Sequence, residues 1–346
     1  MSEFIGTKLT MNLGERSYDI IVKSGSLENL YQFARLDRRV AVVTDSGVPA
    51  QYAQMVADQC KDAHIITVPQ GEASKSFKIL ESVLKQMLEF GMGRGDLVIA
   101  VGGGVVGDLA GFAASIYMRG IDFINCPTTT LSMIDSSIGG KTAVDLGDTK
   151  NIVGAFWQPK LVIVDPDTLS TLPRRHFING LAEAVKASLL ADPELFAIFE
   201  NGDVDAQIGE IICRSLRFKK GIVEQDETEH GMRKALNFGH TIGHGIEAVR
   251  GVRGRRTTGL YHGECVALGM LPMIEDTALL KRTRAIYRAL GLPTRAGANK
   301  EKVLAYMQHD KKARGDHITV IKCPGLGCWR ADSLPMTELP ALLGME

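Results

Sequence analysis

The stretch "DLVIAVGGGVVGD", residues 96–108, decides the fold class of this chain. Its first half is a short run rich in Val and Ile, which predicts a buried β-strand. Its second half spaces Gly102, Gly104 and Gly107 as Gly-x-Gly-x-x-Gly, a pattern that brings a pyrophosphate to the N-terminus of a helix. The usual dinucleotide fingerprint follows the first strand of a domain, whereas this one follows the third or fourth. The alternative is a tight strand-to-helix turn that binds nothing.

Similar apolar runs lie on both sides of this stretch. They are "RVAVVTD" (39–45), "HIITVP" (64–69), "DFINCP" (122–127) and "LVIVDP" (161–166). Helical patterns such as "SFKILESVLKQMLEFG" (76–91) separate them. Continuous apolar strands that alternate with helices predict a parallel sheet covered on both faces, and such sheets bind ligands at the carboxyl ends of their strands.

The apolar spacing changes after residue 166. Phe177, Leu181, Val185 and Leu189 stand four apart, which is a helical stripe. We therefore expect an α/β protein with two domains. Residues 1–168 would form a Rossmann-like parallel-sheet domain that binds the nucleotide, and residues 169–346 a mainly α-helical domain that binds metal and substrate.

Composition limits the classes of partner. The chain has 346 residues, with 40 basic and 40 acidic side chains, so no net charge favours nucleic acid or an anionic membrane. No apolar run approaches the length of a membrane span, and the first residues lack the layout of a signal peptide. The six cysteines are scattered and read as reduced thiols, so we expect a cytoplasmic protein.

The segment "LNFGHTIGHGIEAVRGVRGRRTTGLYHGE", residues 236–264, contains three of the eight histidines. His240 and His244 are four apart and share one face of a helix, and His262 follows. Catalytic zinc sites use three protein ligands drawn from imidazole and carboxylate, and Glu183 in "GLAEAVK" is the candidate carboxylate. If Glu183 supplies one ligand, two ligand positions remain for three histidines, so one histidine is left for proton transfer. The spacing does not show which one. The alternative for Glu183 is a surface ion pair with Lys186.

Polar residues also follow the strand at 122–127. The segment "PTTTLSMIDSSIGGKTAVDLGDTKN", residues 127–151, combines hydroxyls, a Gly-Gly pair, Lys141, Lys150 and Asn151. Hydroxyls, amides and ammonium groups together suit a phosphate. The alternative is a capped polar loop. Asp45, at the end of another strand, could bind ribose hydroxyls or cap a helix.

Several strings in this sequence together resemble the 3-dehydroquinate synthase family of sugar-phosphate cyclases. They are "GGGVVGD", "PTTTLSMIDSSIGGKT", "KNIVGAFWQP", "TLPRRHFINGLAEAVK", "DETEHGMRKALNFGHTIGH", "HGE" and "HDKKARG". They occur in order over roughly residues 40–320, and together they are highly specific. The stretch between His240 and His262 is about five residues longer than the family pattern.

The resemblance implies a reaction and its cofactors. The substrate would be 3-deoxy-D-arabino-heptulosonate 7-phosphate, a sugar phosphate, and the products 3-dehydroquinate and phosphate, within the shikimate pathway to chorismate and the aromatic amino acids. The steps are oxidation, loss of phosphate, reduction, ring opening and an intramolecular aldol closure. NAD would be restored in each turnover, and Zn²⁺ or Co²⁺ would act as a Lewis acid. The residues do not distinguish the two metals.

The resemblance also implies roles for individual residues. The metal ligands would be Glu183, His240 and His262, which leaves His244 for the leaving phosphate. Substrate-binding positions would be Lys141, Asn151, Asp135, Lys186, Lys219, Arg233, Asn237 and Lys312, the last preferred over Lys311. Arg119 would reach into the active site of the partner in a homodimer. NAD contacts would come from Asp45, Glu72, Lys75, Gly104, Val105, Val106, Gly107, Asp108, Thr128, Thr129, Lys141, Lys150, Thr168, Leu169, Ser170 and Thr171.

Three rival functions share part of this residue set. Another sugar-phosphate cyclase, such as a 2-deoxy-scyllo-inosose synthase, would need no clamp for a substrate carboxylate. A metal-dependent polyol dehydrogenase of the glycerol dehydrogenase type would release NADH and would not need the phosphate-binding residues. A non-catalytic protein that binds metal and nucleotide would not need every catalytic position filled.

Arg233 carries the sequence argument for a carboxylate substrate. If the helix that bears His240 begins near Lys234, Arg233 stands at its N-terminal end and can grip a carboxylate bidentately. The alternative is that Arg233 pairs with Glu227 or Glu229 and steadies the start of the helix.

Overall fold

The chain divides into two compact units, Met1–Phe177 and Ile178–Glu346. The structure, a computed structural model, describes residues 6–147, 149–252, 259–308, 313–314 and 316–343. The boundary expected at residue 168 lies in a 3₁₀ segment, Pro166–Thr171, whereas the units divide within the helix that follows it. A separate functional role for each unit stays a prediction.

The first unit is built on a seven-stranded sheet. Its elements are β1 (Thr7–Met11), β2 (Tyr18–Val22), β3 (Arg39–Asp45), α1 (Ala50–Ala57), β4 (Asp62–Val68), α2 (Phe77–Glu89), β5 (Leu97–Gly102), α3 (Gly104–Ile116), β6 (Asp122–Pro127), β7 (Lys141–Leu146), β8 (Thr149–Phe156) and β9 (Leu161–Val164). The strand order is β1-β2-β9-β6-β5-β3-β4, and every pair is parallel except β1 with β2. The expected α/β class is confirmed.

Alternate residues of the central strands supply two cores, one on each face of the sheet. In β5, Val98 and Ala100 join the core that contains α2 and α3, whereas Leu97, Ile99 and Val101 join the core that contains α1. All six residues of β5 are buried. Side chains of a strand point to opposite faces in turn, so a strand covered on both sides reads as an unbroken apolar run.

Two regions of the first unit differ from the expectation. The hairpin β1–β2 forms one end of the sheet order, and β2 pairs with β9. The segment 127–151, expected to bind phosphate and with a capped polar loop as the alternative, contains a π-helical turn, Ser132–Ser136, and then β7, which pairs with β8 in an antiparallel hairpin. Polar residues predominate there because most side chains of β8 are exposed or half-buried.

The second unit is mainly helical, as expected. Its elements are α4 (Arg174–Ala191), which crosses the boundary, α5 (Pro193–Asn201), α6 (Ile208–Gln225), α7 (His240–Arg250), α8 (His262–Met270), α9 (Thr277–Leu290), α10 (Lys300–Gln308), β10 (Ala313–Arg314), β11 (His317–Gly325), β12 (Cys328–Pro335) and α11 (Leu339–Leu342). The sheet β10-β11-β12 was not predicted. None of the helices in the described part of the chain combines the length and apolar character that a bilayer crossing requires.

Glycines allow α7 and α8 to pack backbone against backbone. A Cβ atom on Gly269 would lie 2.0 Å from the carbonyl oxygen of Gly239, and one on Gly243 would lie 3.0 Å from that of Cys265. Gly263 packs against α4 in the same way, because a Cβ atom on Gly263 would lie 1.9 Å from the carbonyl oxygen of Asn179. Three helices therefore approach closely at the residues that carry the candidate metal ligands.

Candidate functional site

Three imidazole rings come together at the start of α7 and α8. The ring centroids are 5.2 Å apart for His240 and His244, 5.4 Å for His240 and His262, and 5.9 Å for His244 and His262. His240 and His244 are one turn apart on α7, and His262 is the first residue of α8. The shared helix face inferred from the spacing is present.

Glu183 of α4 lies against these rings and is almost completely buried, with 2% of its surface exposed. Its Oε1 atom is 3.6 Å from His240 Nε2 and 3.9 Å from His262 Nε2. Lys186 Nζ forms an ion pair with Oε2 and donates a hydrogen bond to the Leu236 carbonyl oxygen at 2.9 Å. Lys186 is also buried, so the alternative of a surface ion pair is wrong. We call Glu183, Lys186, His240 and His262 the Glu183 cluster.

The tautomers of both histidines follow from their neighbours. His240 Nδ1 lies 3.1 Å from the Phe238 carbonyl oxygen, and His262 Nδ1 lies 3.0 Å from Glu247 Oε2. A carbonyl and an ionised carboxylate only accept hydrogen bonds, so each Nδ1 carries the proton and donates it. Each Nε2 then presents a lone pair toward Glu183, as a metal ligand requires.

A divalent cation fits the Glu183 cluster. Glu183, His240 and His262 each offer one ligand atom within 4.8 Å of the others. Tetrahedral zinc ligands at 2.0–2.1 Å from the metal are about 3.3 Å apart, so the observed separations need only a small contraction. Neither oxygen of Glu183 makes a hydrogen bond to a described residue, so beside its ion pair with Lys186 the buried carboxylate can still take a metal ion as a partner.

A second set with metal-ligand spacing shares one histidine with the first. It consists of His244, Glu247 and His262. In this set the Glu247 carboxylate is already hydrogen-bonded to the His262 ring, and His244 is exposed. The geometry therefore favours the first set as the metal ligands.

A buried cation organises the polar residues of the first unit. Lys75, which is 4% exposed, donates to Asp108 Oδ2 at 2.6 Å and also to Asn151 Oδ1. Asp145 accepts a hydrogen bond from the Asn151 backbone N–H at 2.8 Å, and its own N–H donates to the Lys75 carbonyl at 2.8 Å. We call these four residues the Lys75 cluster. It joins a residue expected to bind substrate, Asn151, to two expected to bind NAD.

Asn151 has a left-handed backbone conformation with φ 52°. A non-glycine residue in this region is uncommon and persists where its surroundings hold it. Here the carboxylate of Asp145 holds the Asn151 N–H, and Lys75 holds its side chain.

The glycine turn between β5 and α3 is shaped by packing as well as by any ligand. A Cβ atom on Gly107 would lie 3.1 Å from the Asn125 amide nitrogen, and one on Gly104 would lie 2.9 Å from Ser136 Oγ. Gly107 thus permits close contact between α3 and β6. Both sequence-based interpretations of the motif are compatible with this geometry.

The other residues expected to contact NAD lie at strand ends and in neighbouring turns. Asp45 ends β3 and accepts hydrogen bonds from Gly47 N at 2.7 Å and Val48 N at 3.2 Å. Burial raises the pKa of Asp45, and these two hydrogen bonds partly oppose the rise. Lys150 forms an ion pair with Glu72 at 3.2 Å. Thr128 and Thr129 follow β6, and Thr168, Leu169, Ser170 and Thr171 lie in the 3₁₀ segment after β9.

Residues expected to bind substrate differ in exposure. Lys141 and Arg119 are exposed, Asp135 is half-buried, and Lys219 and Arg233 are buried. Asn237 Nδ2 donates to Glu229 Oε1 at 2.7 Å. Lys311 and Lys312 lie outside the described residues, as do Arg253, Arg255 and Arg256 of the longer loop.

The expected start of the histidine helix is wrong. The helix α7 begins at His240, because Gly239 is left-handed with φ 77° and separates it from a 3₁₀ segment, Met232–Asn237. Arg233 lies in that segment with 1% of its surface exposed. Its Nη1 atom donates to the Glu227 carbonyl oxygen, and its N–H donates to Asp226 Oδ2 at 2.9 Å. Arg233 is therefore held by the turn that precedes α7.

Sequence reasoning missed two acids of the site, Glu247 and Asp145. Glu247 continues the stripe of His240 and His244, seven residues after His240 on α7, a signal present in the sequence. Asp145 had no such signal, because its contact with Asn151 depends on the β7–β8 hairpin.

Comparisons with known proteins cover nearly the whole chain. Residues 65–179 match the family model described as 3-dehydroquinate synthase N-terminal, and residues 180–313 match that described as 3-dehydroquinate synthase C-terminal. A 3-dehydroquinate synthase of Streptococcus mutans is 40% identical over 97% of this chain and 99% of the relative. One from Caulobacter vibrioides is 41% identical over 92% of each chain.

Solved structures with the same fold include other cyclases. A 2-deoxy-scyllo-inosose synthase complexed with carbaglucose-6-phosphate, NAD⁺ and Co²⁺ has a TM-score of 0.87 and 24% identity over 98% of this chain and 100% of its own. A 2-epi-5-epi-valiolone synthase from Streptomyces hygroscopicus with NAD⁺ and Zn²⁺ has a TM-score of 0.84 and 28% identity over 96% and 97%. A probable glycerol dehydrogenase from Sinorhizobium meliloti has a lower TM-score, 0.61, at 18% identity over 93% and 94%.

Proposed function

The chain belongs to the 3-dehydroquinate synthase family, and from that premise we propose that the residues described above carry out the reaction of the family. The enzyme is a carbon–oxygen lyase that converts 3-deoxy-D-arabino-heptulosonate 7-phosphate to 3-dehydroquinate and phosphate. It acts in the shikimate pathway, which leads to chorismate and the aromatic amino acids. The observation that carries the assignment of the site is the buried Glu183 carboxylate faced by two imidazole Nε2 atoms.

The cofactors are NAD and a divalent metal, Zn²⁺ or Co²⁺. We assign the metal to Glu183, His240 and His262 and NAD to the residues around the glycine turn, Asp45 and Lys75. A metal held by these residues would supply Lewis-acid chemistry at the substrate oxygens. NAD held around the glycine turn would supply a hydride acceptor.

The protein's own side chains bind and orient the substrate. Lys141 and Asn151 present an ammonium and an amide to the phosphate dianion. Asp145 and Lys75 fix Asn151, so its amide needs little reorganisation when the substrate binds. Lys219 and Arg233, which are buried cations, are proposed for the substrate carboxylate and the nearby hydroxyls. Lys186 holds the Glu183 carboxylate and neutralises part of its charge.

His244 is proposed to handle protons at the leaving phosphate. It is exposed, and its ring lies 5.2 Å from the ring of His240 and 5.9 Å from that of His262. An imidazole beside the ligands but not among them can hydrogen-bond the phosphate and transfer a proton to it.

The decisive experiment is phosphate release from the heptulosonate phosphate with trace NAD⁺. We expect many turnovers per NAD⁺ and no accumulation of NADH. A polyol dehydrogenase would instead need stoichiometric NAD⁺ and would accumulate NADH. A 2-deoxy-scyllo-inosose synthase would release phosphate from a hexose phosphate without a carboxylate and not from the heptulosonate. No release from either substrate by metal-loaded protein would contradict the proposal.

We also propose a homodimer in which Arg119 acts across the subunit interface. Met118 and Arg119 are consecutive non-glycine residues with positive φ, 49° and 69°, a strained conformation that often marks a functional position. Large apolar side chains near this turn and on the β7–β8 hairpin are exposed, and burial by a second copy would remove them from water. They are Ile116, Met118, Leu146, Ile152 and Phe156.

Mixed dimers test the role of Arg119. One subunit carries Arg119→Ala and the other Lys141→Ala, with two affinity tags to isolate the mixed species. If Arg119 acts in trans, one site has both defects and the other has neither, so roughly half of the wild-type activity returns. No recovery in verified mixed dimers would mean that Arg119 serves its own subunit.

We propose that the enzyme works in the cytoplasm, where thiols stay reduced. Cys126, Cys213 and Cys265 are fully buried, and burial raises the pKa of the Cys126 thiol. Such thiols behave as small apolar side chains and react slowly. Fractionation of the source cells, followed by detection of the chain, tests this location.

A further inference from the structure

Glu247 has no role in the function proposed so far, yet its carboxylate contacts a metal ligand. It lies on α7 with 8% of its surface exposed, and its Oε2 atom is 3.0 Å from His262 Nδ1. His240, His244 and Glu247 occupy successive turns of one helix face, which presents all three to α8.

We propose that Glu247 is a positioning residue that orients His262 as a metal ligand. The inference rests on the metal site proposed above. The carboxylate accepts the Nδ1 proton, which fixes the tautomer with the lone pair on Nε2. The same hydrogen bond fixes the ring plane, so Nε2 points toward Glu183 Oε1, 3.9 Å away. Carboxylates that hydrogen-bond ligating histidines in this way also raise the basicity of the ligand.

The two histidine ligands differ in how they are held. His240 donates to the Phe238 carbonyl, a backbone group fixed by the left-handed turn at Gly239. His262 begins α8, and its side chain is 32% exposed against 13% for His240. The ring of His262 therefore has fewer packing restraints and depends on a side chain for its orientation.

The competing interpretation makes Glu247 itself a ligand, together with His244 and His262. A separation of 3.0 Å between Oε2 and Nδ1 is that of a direct hydrogen bond. If both atoms bound the metal, the proton between them would have to leave and the atoms would move apart to about 3.3 Å. Glu183 would then be left out of the ligand set, although His240 Nε2 and His262 Nε2 both face its Oε1 atom. The orienting role needs neither change.

The test measures Zn²⁺ affinity of the full chain by competition with a chromogenic chelator, in wild type, Glu247→Gln, Glu247→Ala and Glu183→Gln. We expect Glu247→Ala to bind one Zn²⁺ per site about 10- to 100-fold more weakly than wild type. Glu247→Gln should lose less, because its amide oxygen still accepts from Nδ1. Glu183→Gln should lose stoichiometric binding. Absorption spectra of the Co²⁺-loaded Glu247 variants should keep the wild-type band positions, because the ligand set is unchanged.

Glu264→Gln is the matched control. Glu264 is also a buried glutamate, two residues from His262, and it caps α8 by accepting from Tyr261 N at 2.9 Å. We expect this variant to lower the melting temperature of the metal-free protein and to leave Zn²⁺ affinity unchanged. An equal loss of affinity in Glu264→Gln would mean that any disturbance of α8 weakens the metal, and the specific role of Glu247 would be wrong.

The remaining outcomes separate the inference from the proposed function. If Glu247→Ala binds Zn²⁺ as tightly as wild type while Glu183→Gln does not bind it, the assigned metal site is supported and the positioning role of Glu247 is wrong. If Glu247→Gln loses binding and Glu183→Gln retains it, Glu247 is a ligand and the assigned set is wrong. If wild type binds no Zn²⁺ or Co²⁺, the proposed function fails together with the inference.

Discussion

The Lys75 cluster and the Glu183 cluster both bury charged groups, but they satisfy them differently. In the Lys75 cluster, the ammonium donates to Asp108 and Asn151, and Asp145 holds the Asn151 backbone. In the Glu183 cluster, Lys186 forms an ion pair with the Glu183 carboxylate, yet neither oxygen of Glu183 makes a hydrogen bond to any residue in the described ranges. Two imidazole lone pairs also converge on that carboxylate.

This difference indicates which cluster is complete without a ligand. Buried polar groups that pair with one another stabilise the fold by themselves, whereas unsatisfied groups indicate a missing partner. The Lys75 cluster should therefore contribute to stability whether or not cofactors are present. The Glu183 cluster should reach its full contribution only with a metal bound, because a ligand that binds the native state alone adds to its stability.

The largest expected effect follows from removal of the Glu183 charge. Glu183→Gln should abolish stoichiometric metal binding and lower phosphate release about 10³-fold or more, since the Lewis acid contributes several kcal/mol. Elemental analysis and the phosphate assay measure the two losses. Asp108→Asn, which changes a carboxylate of the other cluster, is the control and should keep its metal. Full metal content in Glu183→Gln would mean that the Glu183 cluster needs a metal no more than the Lys75 cluster does.

The second prediction separates the ligands from the histidine beside them. His240→Ala should lose the metal, whereas His244→Ala should keep it and lose rate, by about 10²-fold for a proton-handling group. Metal analysis of both purified proteins, together with the phosphate assay, decides between the two roles. Loss of metal from His244→Ala with retention in His240→Ala would reverse the assignment.

The third prediction concerns the contribution of the Lys75 cluster to the stability of the fold. Lys75→Met should lower the free energy of unfolding by about 1–3 kcal/mol, because Asp108 and Asn151 each lose their donor. Urea denaturation with the metal bound and after chelation should give the same decrease. A decrease that occurs only in the metal-bound protein would show that the two clusters are coupled.

The smallest expected effect comes from Asp45, whose carboxylate is buried at the end of β3. Its raised pKa means that the folded state holds the proton more tightly than the unfolded chain, so ionisation as the pH rises disfavours folding. Asp45→Asn keeps an oxygen for Gly47 N–H and should be slightly more stable than wild type at pH 7. That advantage should shrink as the pH falls through the folded pKa and vanish below the ordinary aspartate pKa of about 3.9.

The same variant should bind NAD⁺ about tenfold more weakly, because a charged hydrogen-bond acceptor for ribose hydroxyls is lost. Urea unfolding between pH 4 and 8 and calorimetric titration with NAD⁺ measure the two effects. A loss of stability with unchanged NAD⁺ affinity would assign Asp45 to the turn alone.

The sequence predicted the elements whose residues are buried on both sides. The strands β3, β5 and β6 coincide closely with apolar runs, because a parallel sheet between two helical layers leaves no polar face. The hairpin β7–β8 was missed because its exposed and polar residues resemble a loop. The strands β11 and β12 were missed although their residues alternate in burial over part of their length.

The sequence predicted several residues that the structure brings together, and it predicted their environment less well. The spacing of His240 and His244 placed them on one face, but the burial of Glu183 and Lys186 depends on the helices packed around α4, which no local spacing encodes. The left-handed Gly239, which precedes α7, lies so close to α8 that a Cβ atom there would be 2.7 Å from the Val266 carbonyl oxygen, and no local spacing predicts this contact. Glu247 followed the helical stripe and could have been found from it.

The position of β2 beside β9 has a consequence for synthesis on the ribosome. Asp165 accepts hydrogen bonds from Gly25 N and Leu27 N, which precede it by 140 and 138 residues. At elongation rates of about 5–20 residues per second, the N-terminal hairpin emerges roughly 7–28 s before its partner exists. During that interval Ile20 and Val22 of β2, both fully buried in the native state, lack the neighbouring strand β9. The first strands made are thus among the last to gain their native partners during synthesis.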